Sequence, residues 1–102
     1  MASPFNANSF TILNVGITAP GTAEQVAQHY VPDGIAVIVT ARITNTDNMY
    51  VAMSQAAAQS GAREVFARGR SAEFWIDDTS RLWVDADNTG NRLEIRIPKD
   101  AD

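Results

Sequence analysis

The chain contains no cysteine. Disulfides, thiolate metal sites and cysteine nucleophiles are therefore excluded, and a domain of this size must hold together by packing and hydrogen bonding alone. It has one histidine, His29. With no second histidine and no cysteine to complete a ligand set, a packed or surface role is expected for it, and no metal. No apolar run approaches the roughly 18 residues of a membrane span. The opening MASPFNANSF lacks a basic segment followed by an apolar one, so no secretory leader is expected. No Asn-x-Ser/Thr acceptor occurs. The expected setting is the reducing cytoplasm in which the chain is made, away from membranes. Basic residues number eight against twelve acidic, a net charge of −4. Phosphate binding needs a positive face, so nucleic acid is not an expected main partner. Catalytic motifs are also missing. Ser54, Ser60, Ser71 and Ser80 lie in no Gly-x-Ser-x-Gly context, and there is no glycine-rich phosphate loop. Carboxylates could pair as acid and base in a glycosidase, but nothing marks out two of them. No enzymatic activity and no cofactor are expected.

What is present is an ordinary globular composition: 102 residues, 45% hydrophobic and 20% charged, enough for one domain with a modest core. The organising stretch is Ile35 to Met53. Ile35, Val37, Val39, Ala41 and Ile43 alternate onto one face, with Thr40 and Arg42 on the other, a period of two. Asn45-Thr46-Asp47-Asn48 breaks the pattern with residues that tolerate turn geometry, and Met49 to Met53 returns, so a hairpin is expected.

The remaining segments extend this picture. Phe10 to Thr18 carries apolar groups on both faces, as in a strand covered on both sides or at a subunit contact. Ala19-Pro20-Gly21-Thr22 and Pro32-Asp33-Gly34 are turns. Ala23 to Val31 suits a short helix by composition and a strand by its surroundings, with Val26 and Tyr30 as contacts. Ser54 to Ala62 fits a loop or one helical turn ending at Gly61. Arg63 to Ala67 is a short apolar piece, and Arg68-Gly69-Arg70 turns the chain. Ser71 to Asp77 places Ala72, Phe74 and Ile76 on one face, and Glu73, Trp75 and Asp77 on the other. Arg81 to Ala86 puts Leu82, Val84 and Ala86 inward, and Arg81, Trp83 and Asp85 outward. Arg92 to Ile97 puts Leu93, Ile95 and Ile97 inward, and Arg92, Glu94 and Arg96 outward. The expectation is an all-β domain over residues 10–98, with an arm at 1–9 and a charged tail at 99–102. Its architecture is an antiparallel β-sandwich or jelly-roll-like barrel of six or seven short strands.

Few residues stand out as functional. Asp85-Ala86-Asp87-Asn88-Thr89-Gly90 begins like a calcium loop, but Arg96 occupies the twelfth position, where a bidentate Glu is needed; a hairpin turn is expected instead. Trp75 and Trp83 fall on the outward phase of adjacent strands. If those strands pair, the rings share a surface near Tyr50 and form a protein interface or a sugar platform; otherwise a second sheet covers them as core. Arg63, Arg68 and Arg70 either meet an acidic partner or form a solvated turn. Phe5 is either part of an untethered tail or the anchor of the arm on a neighbouring subunit.

From Val31 to Ile97, two thirds of the chain, the order of features resembles a recurrent type of small bacteriophage virion protein. The resemblance rests on Val31-Pro32-Asp33-Gly34, Asn45-Thr46-Asp47-Asn48-Met49-Tyr50-Val51 and Arg68-Gly69-Arg70-Ser71. It continues through Arg81-Leu82-Trp83-Val84-Asp85-Ala86 and Thr89-Gly90-Asn91. Ala52 stands where such proteins carry Gly, and Arg68-Gly69-Arg70 where they carry Pro-Gly-Glu. The resemblance implies a structural role in the virion: a capsid decoration (cement) protein, or a head-fibre or tail-associated module. It implies the major capsid protein as partner, self-association, often as a trimer, and no catalytic residues. The expected contacts are Phe5, Trp75, Trp83, Arg68 and Arg70. The alternative reading is a tail or fibre module that grips host-surface glycan through its tryptophans.

Overall fold

The computed structural model describes residues 10–98. The arm at 1–9, with Phe5, and the tail at 99–102 lie outside the described residues. Among the described residues, eight strands and one helical turn follow one another: β1 (Phe10–Val15), β2 (Glu24–Gln25), β3 (Val37–Ala41), β4 (Met49–Ala52), α1 (Gln55–Ala58), β5 (Glu64–Phe66), β6 (Ser71–Phe74), β7 (Trp83–Ala86) and β8 (Leu93–Pro98). A single 3-10 turn, Thr79–Arg81, precedes β7. The count exceeds the expected six or seven. The extra strand is β2, two residues paired with Trp83 and Val84, in the segment whose composition also suited a helix.

The strands form two four-stranded antiparallel sheets, ordered β1-β8-β3-β6 and β2-β7-β4-β5. The pairs β1·β8, β2·β7, β3·β6 and β4·β5 are nested, like one long hairpin rolled up so that β3 also meets β8 and β4 meets β7. That is the connectivity of a jelly roll, and the fold is a β-sandwich. Inward-facing Val37, Val39, Ala41, Leu93 and Ile95 of the first sheet meet Met49, Val51, Phe66, Val84 and Ala86 of the second in one core. Phe66 and Phe74 stack with ring centroids 6.3 Å apart. The alternation read from Arg92 to Ile97 is thereby realised.

The expected hairpin between β3 and β4 is not formed, because the two strands belong to different sheets. Seven residues separate them, Arg42 to Asn48, more than tight hairpin loops use. The chain turns as soon as β3 ends, with Asn45 N–H donating to Arg42 O at 3.0 Å. The strand phase stops before Ile43, which is 78% exposed rather than inward. The turn after Asp87 likewise joins β7 to β8 across the two sheets and makes no hairpin.

Two buried asparagines fasten these crossings to each other. Asn45 donates through Nδ2 to Arg92 O at 2.9 Å and accepts through Oδ1 from Arg92 N–H at 2.8 Å. Asn91 accepts from Thr46 N–H at 3.0 Å and donates to Asp47 O at 3.0 Å. Each amide side chain thus stands in for a stretch of β ladder where no strand runs.

Helix α1 covers the outer face of the second sheet. Ser54 caps it, its hydroxyl accepting from Ala57 N–H at 3.1 Å, and its alanines carry high helix propensity. Gln59 and Gln55 bind the N–H and C=O of Ala23 at 2.8 and 3.2 Å. Tyr50, Ala52 and Asp85, on the outward phase of β4 and β7, are therefore buried.

Candidate interaction surface

Trp75 and Trp83 do not share a surface. Strands β6 and β7 lie in different sheets. Trp83 is half-buried against Ala23, Ala52, Ala57 and Ala58, because α1 lies over its face. Trp75 is 70% exposed, just beyond the last residue of β6, an edge strand. A large ring left in water is the informative observation, since indoles are mostly buried or held at interfaces.

The ground around Trp75 is built by two crossing segments. Val31 N–H donates to Asp77 O at 2.9 Å, and Tyr30 and Asp78 form an isolated antiparallel bridge. Pro32 to Ile35 then reverses the chain, with Ile35 N–H on Pro32 O at 3.2 Å and Gly34 at φ +77°, a left-handed conformation that suits glycine. Trp75 lies beside this turn, in a shallow groove of about 200 Å³ that Val31, Pro32, Asp33, Gly34, Ile76 and Asp77 complete. Tyr30, expected as a packed contact, is 71% exposed and adds a second aromatic to this end of the molecule.

The charged groups here are mostly engaged. Asp77 and Arg81 form an ion pair, one contact of which, Arg81 Nη2 to Asp77 Oδ2, is 3.2 Å. Arg81 holds the Asp77 carboxyl below its ordinary range. Asp78 caps the 3-10 turn, accepting from Ser80 N–H at 2.9 Å and from Gln28 Nε2 at 3.1 Å. The Ser80 N–H is the main cause that lowers the Asp78 pKa, against a smaller upward push from desolvation. A carboxyl with a depressed folded-state pKa stabilises the fold above its unfolded value of about 3.9, and that contribution is lost as pH falls through the folded pKa. The urea midpoint is therefore expected to hold steady from about pH 7 to about pH 5 and to fall in more acid solution. Asp78→Asn should start lower and fall less. Parallel pH profiles for the two proteins would show that Asp78 plays no part.

The arginines separate. Arg70 lies at the other end of β6 from Trp75, paired with Glu64 at 3.0 Å, its guanidinium 4.7 Å from the Phe66 ring centroid and also donating to Val65 O. Arg68 is exposed in the adjoining turn. Arg63 is drawn inward. It lies over the Tyr50 ring at 3.5 Å, donates to Ala58 O at 2.9 Å and faces buried Asp85 at 3.8 Å.

Asp85 was expected outward. It is 3% exposed, and its carboxylate accepts from Gly21 N–H at 2.9 Å. Asp87 accepts from the Tyr50 hydroxyl at 2.8 Å. Burial is the first cause raising the Tyr50 pKa, and the Asp87 contact the second. Both carboxylates of the calcium-like sequence are thus occupied, Asp85 by the loop at Gly21 and by Arg63, and Asp87 by Tyr50 of β4. Among the described residues, no group of three or more His, Asp or Glu side chains gathers as a metal site. His29 is half-buried, and its carbonyl accepts from Thr79 N–H at 3.0 Å.

Comparison of the chain with protein-family models, with curated proteins and with solved structures found no match.

Proposed function

We propose that this chain is a bacteriophage virion structural protein, a capsid decoration (cement) protein that binds the assembled head and stabilises it. The observation that carries the reading is Trp75, 70% exposed beside the hydrogen-bonded Pro32–Ile35 turn. An aromatic held in water by a packed scaffold is preorganised for contact with another macromolecule. The resemblance from Val31 to Ile97 supplies the class of partner, the major capsid protein. The mechanism is mechanical. A sandwich that touches surfaces brought together only in the assembled shell stabilises that state by linkage. Self-association, as a trimer for instance, makes many modest contacts act as one multivalent clamp.

The test is co-sedimentation. The mass of the purified protein is measured by light scattering, and the protein is then mixed with empty expanded heads of its phage and pelleted. An oligomer that sediments with heads at fixed stoichiometry is the expected result. A soluble species that ignores heads would overturn the reading. It would favour the second one, a tail- or fibre-associated module for host glycan, for which one arrangement speaks: Trp75 lies in its groove with Asp33, an aromatic face beside a carboxylate able to accept from sugar hydroxyls. A glycan array would then be the deciding measurement.

A further inference from the structure

The first sheet ends at β1 and the second at β2, and among the described residues neither strand is paired on its outer side. The two edges do not meet. Between them runs a crevice of about 360 Å³, walled by consecutive residues on both sides, Ile12 to Gly16 and Glu24 to Ala27. Side chains along a strand alternate between faces, so an unbroken run of lining residues means that the strand edges themselves form the walls. Such edges carry main-chain donors and acceptors ready for another strand. The apolar groups present are Leu13, Val15 and Val26, with Ile12 half-exposed at the mouth. Asn14 and Gln25 supply polar neighbours. Glu24 is occupied, accepting from Thr18 N–H at 2.6 Å.

The geometry points to an added β-strand as the occupant of this crevice, and to Phe5–Ser9 of a second copy of the chain as that strand. Three features of the sequence single out this segment. Nine residues precede Phe10, the first residue of β1; fully extended they reach about 30 Å, enough to cross to a neighbouring copy. Phe5 to Ser9 is five residues long, the length of the Ile12–Gly16 wall. In extended form it alternates, with Phe5, Ala7 and Ser9 on one side and Asn6 and Asn8 on the other. It thus presents one aromatic anchor to Leu13, Val15 and Val26, uncharged amides to the wet side, and full main-chain pairing capacity. A tight fold-back within one chain fits less well. With Asn8-Ser9 as a two-residue turn, Phe5 falls opposite half-exposed Ile12 and on its face, not on that of Leu13 and Val15, and only Met1 to Ser3 remain to cover Asn14 to Gly16. Strand addition from a neighbour escapes that constraint, and repeated around a rotation axis it closes a ring.

The inference shares with the proposed function only the assumption of self-association, and it is tested on the free protein without heads. The absence of native cysteine makes introduced thiols unambiguous reporters. A tagged Asn6→Cys chain, which keeps Phe5, is mixed with an untagged Asn14→Cys chain and treated with a short bismaleimide, whose reach tolerates a register error of a residue. The expected product is a tagged–untagged heterodimer on a denaturing gel. Phe5→Asp, which keeps the chain length, should weaken self-association about thirtyfold, as loss of an aromatic anchor does. Deletion of residues 1–9 should reduce the mass in light scattering to that of one shortened chain, below the 11.0 kDa of a full-length monomer. Unchanged association in both variants would overturn the inference. So would linkage only within a chain carrying both cysteines, or a wild-type protein that is monomeric at all concentrations. A protein that exchanges arms but ignores heads loses the proposed function and keeps this inference; one that binds heads as a monomer does the opposite.

Discussion

Asn45→Ala is expected to lower the stability of the domain by about 2 kcal/mol and its melting temperature by roughly 10 °C. Asn45 is 3% exposed, and both ends of its amide bind the main chain of Arg92, at 2.8 and 2.9 Å. Alanine removes both bonds, each contributing about 1 kcal/mol net, and leaves the Arg92 N–H with nothing to donate to. The Arg92 carbonyl suffers less, since it also accepts from Arg42 N–H at 3.2 Å. Asn45→Asp should be no better than alanine. It keeps the acceptor for Arg92 N–H but sets a carboxylate oxygen against the Arg92 carbonyl, with the charge largely removed from water. Asn91→Ala should cost a similar amount, because Asn91 is 1% exposed and holds Thr46 and Asp47. The two substitutions together should cost less than their sum, since each already frees the contact between the same two crossings. Asn88→Ala is the control. Asn88 is exposed and bonds only locally, to Gly90 N–H at 2.7 Å, so its loss should stay under about 1 kcal/mol. Urea denaturation of the five variants beside wild type decides the matter. If Asn45→Ala unfolds at the same midpoint as Asn88→Ala, the asparagines are ordinary turn residues and the clamp does not exist.

The same asparagines show where the sequence stops being legible. Read locally, Asn45 and Asn91 are turn formers, and they do occupy turns. That they are also buried and face each other's loops depends on β3 meeting β8, a pairing of residues more than fifty positions apart such as Val39 with Ile95. Strand identity needs only local alternation, which is why β8 and the inward faces of β3 and β7 could be read directly. So could the turns at Ala19–Thr22 and Pro32–Gly34, where proline and glycine fix the backbone. Sheet membership needs partners, and nothing local distinguishes a hairpin from a crossing except loop length. The seven residues between β3 and β4 were the available signal. Trp83 illustrates a second limit. It has the outward phase of its strand, as expected, but outward is not exposed when α1 lies above. Trp75 has the same phase just beyond the end of an edge strand, with nothing over it among the described residues. The crevice between β1 and β2 was foreshadowed only by the apolar groups on both faces of Phe10 to Thr18.

That difference between the tryptophans yields a paired expectation. Trp75→Ala should weaken attachment to heads about thirtyfold, the effect of losing an aromatic at the centre of an interface, and leave the melting temperature nearly unchanged. The ring is 70% exposed, so its removal leaves no core cavity and costs little in the free protein. Trp83→Ala should do the reverse. Its ring fills the space between β7, Ala23 and the alanines of α1, and truncation should cost about 2 kcal/mol of stability. Below the new melting temperature, head binding should remain near the wild-type level. Trp75→Phe should recover part of the lost affinity, because the flat apolar face is kept while area is lost. The four proteins are compared by pelleting with heads at a concentration near half saturation, alongside thermal melts. If Trp75→Ala binds heads as well as wild type while Trp83→Ala does not, the contact surface is the face under α1 and the exposed ring is incidental. If neither substitution changes head binding but Trp75→Ala abolishes binding to an immobilised glycan, the groove beside Pro32–Ile35 is a sugar site, and the protein belongs on a tail or fibre.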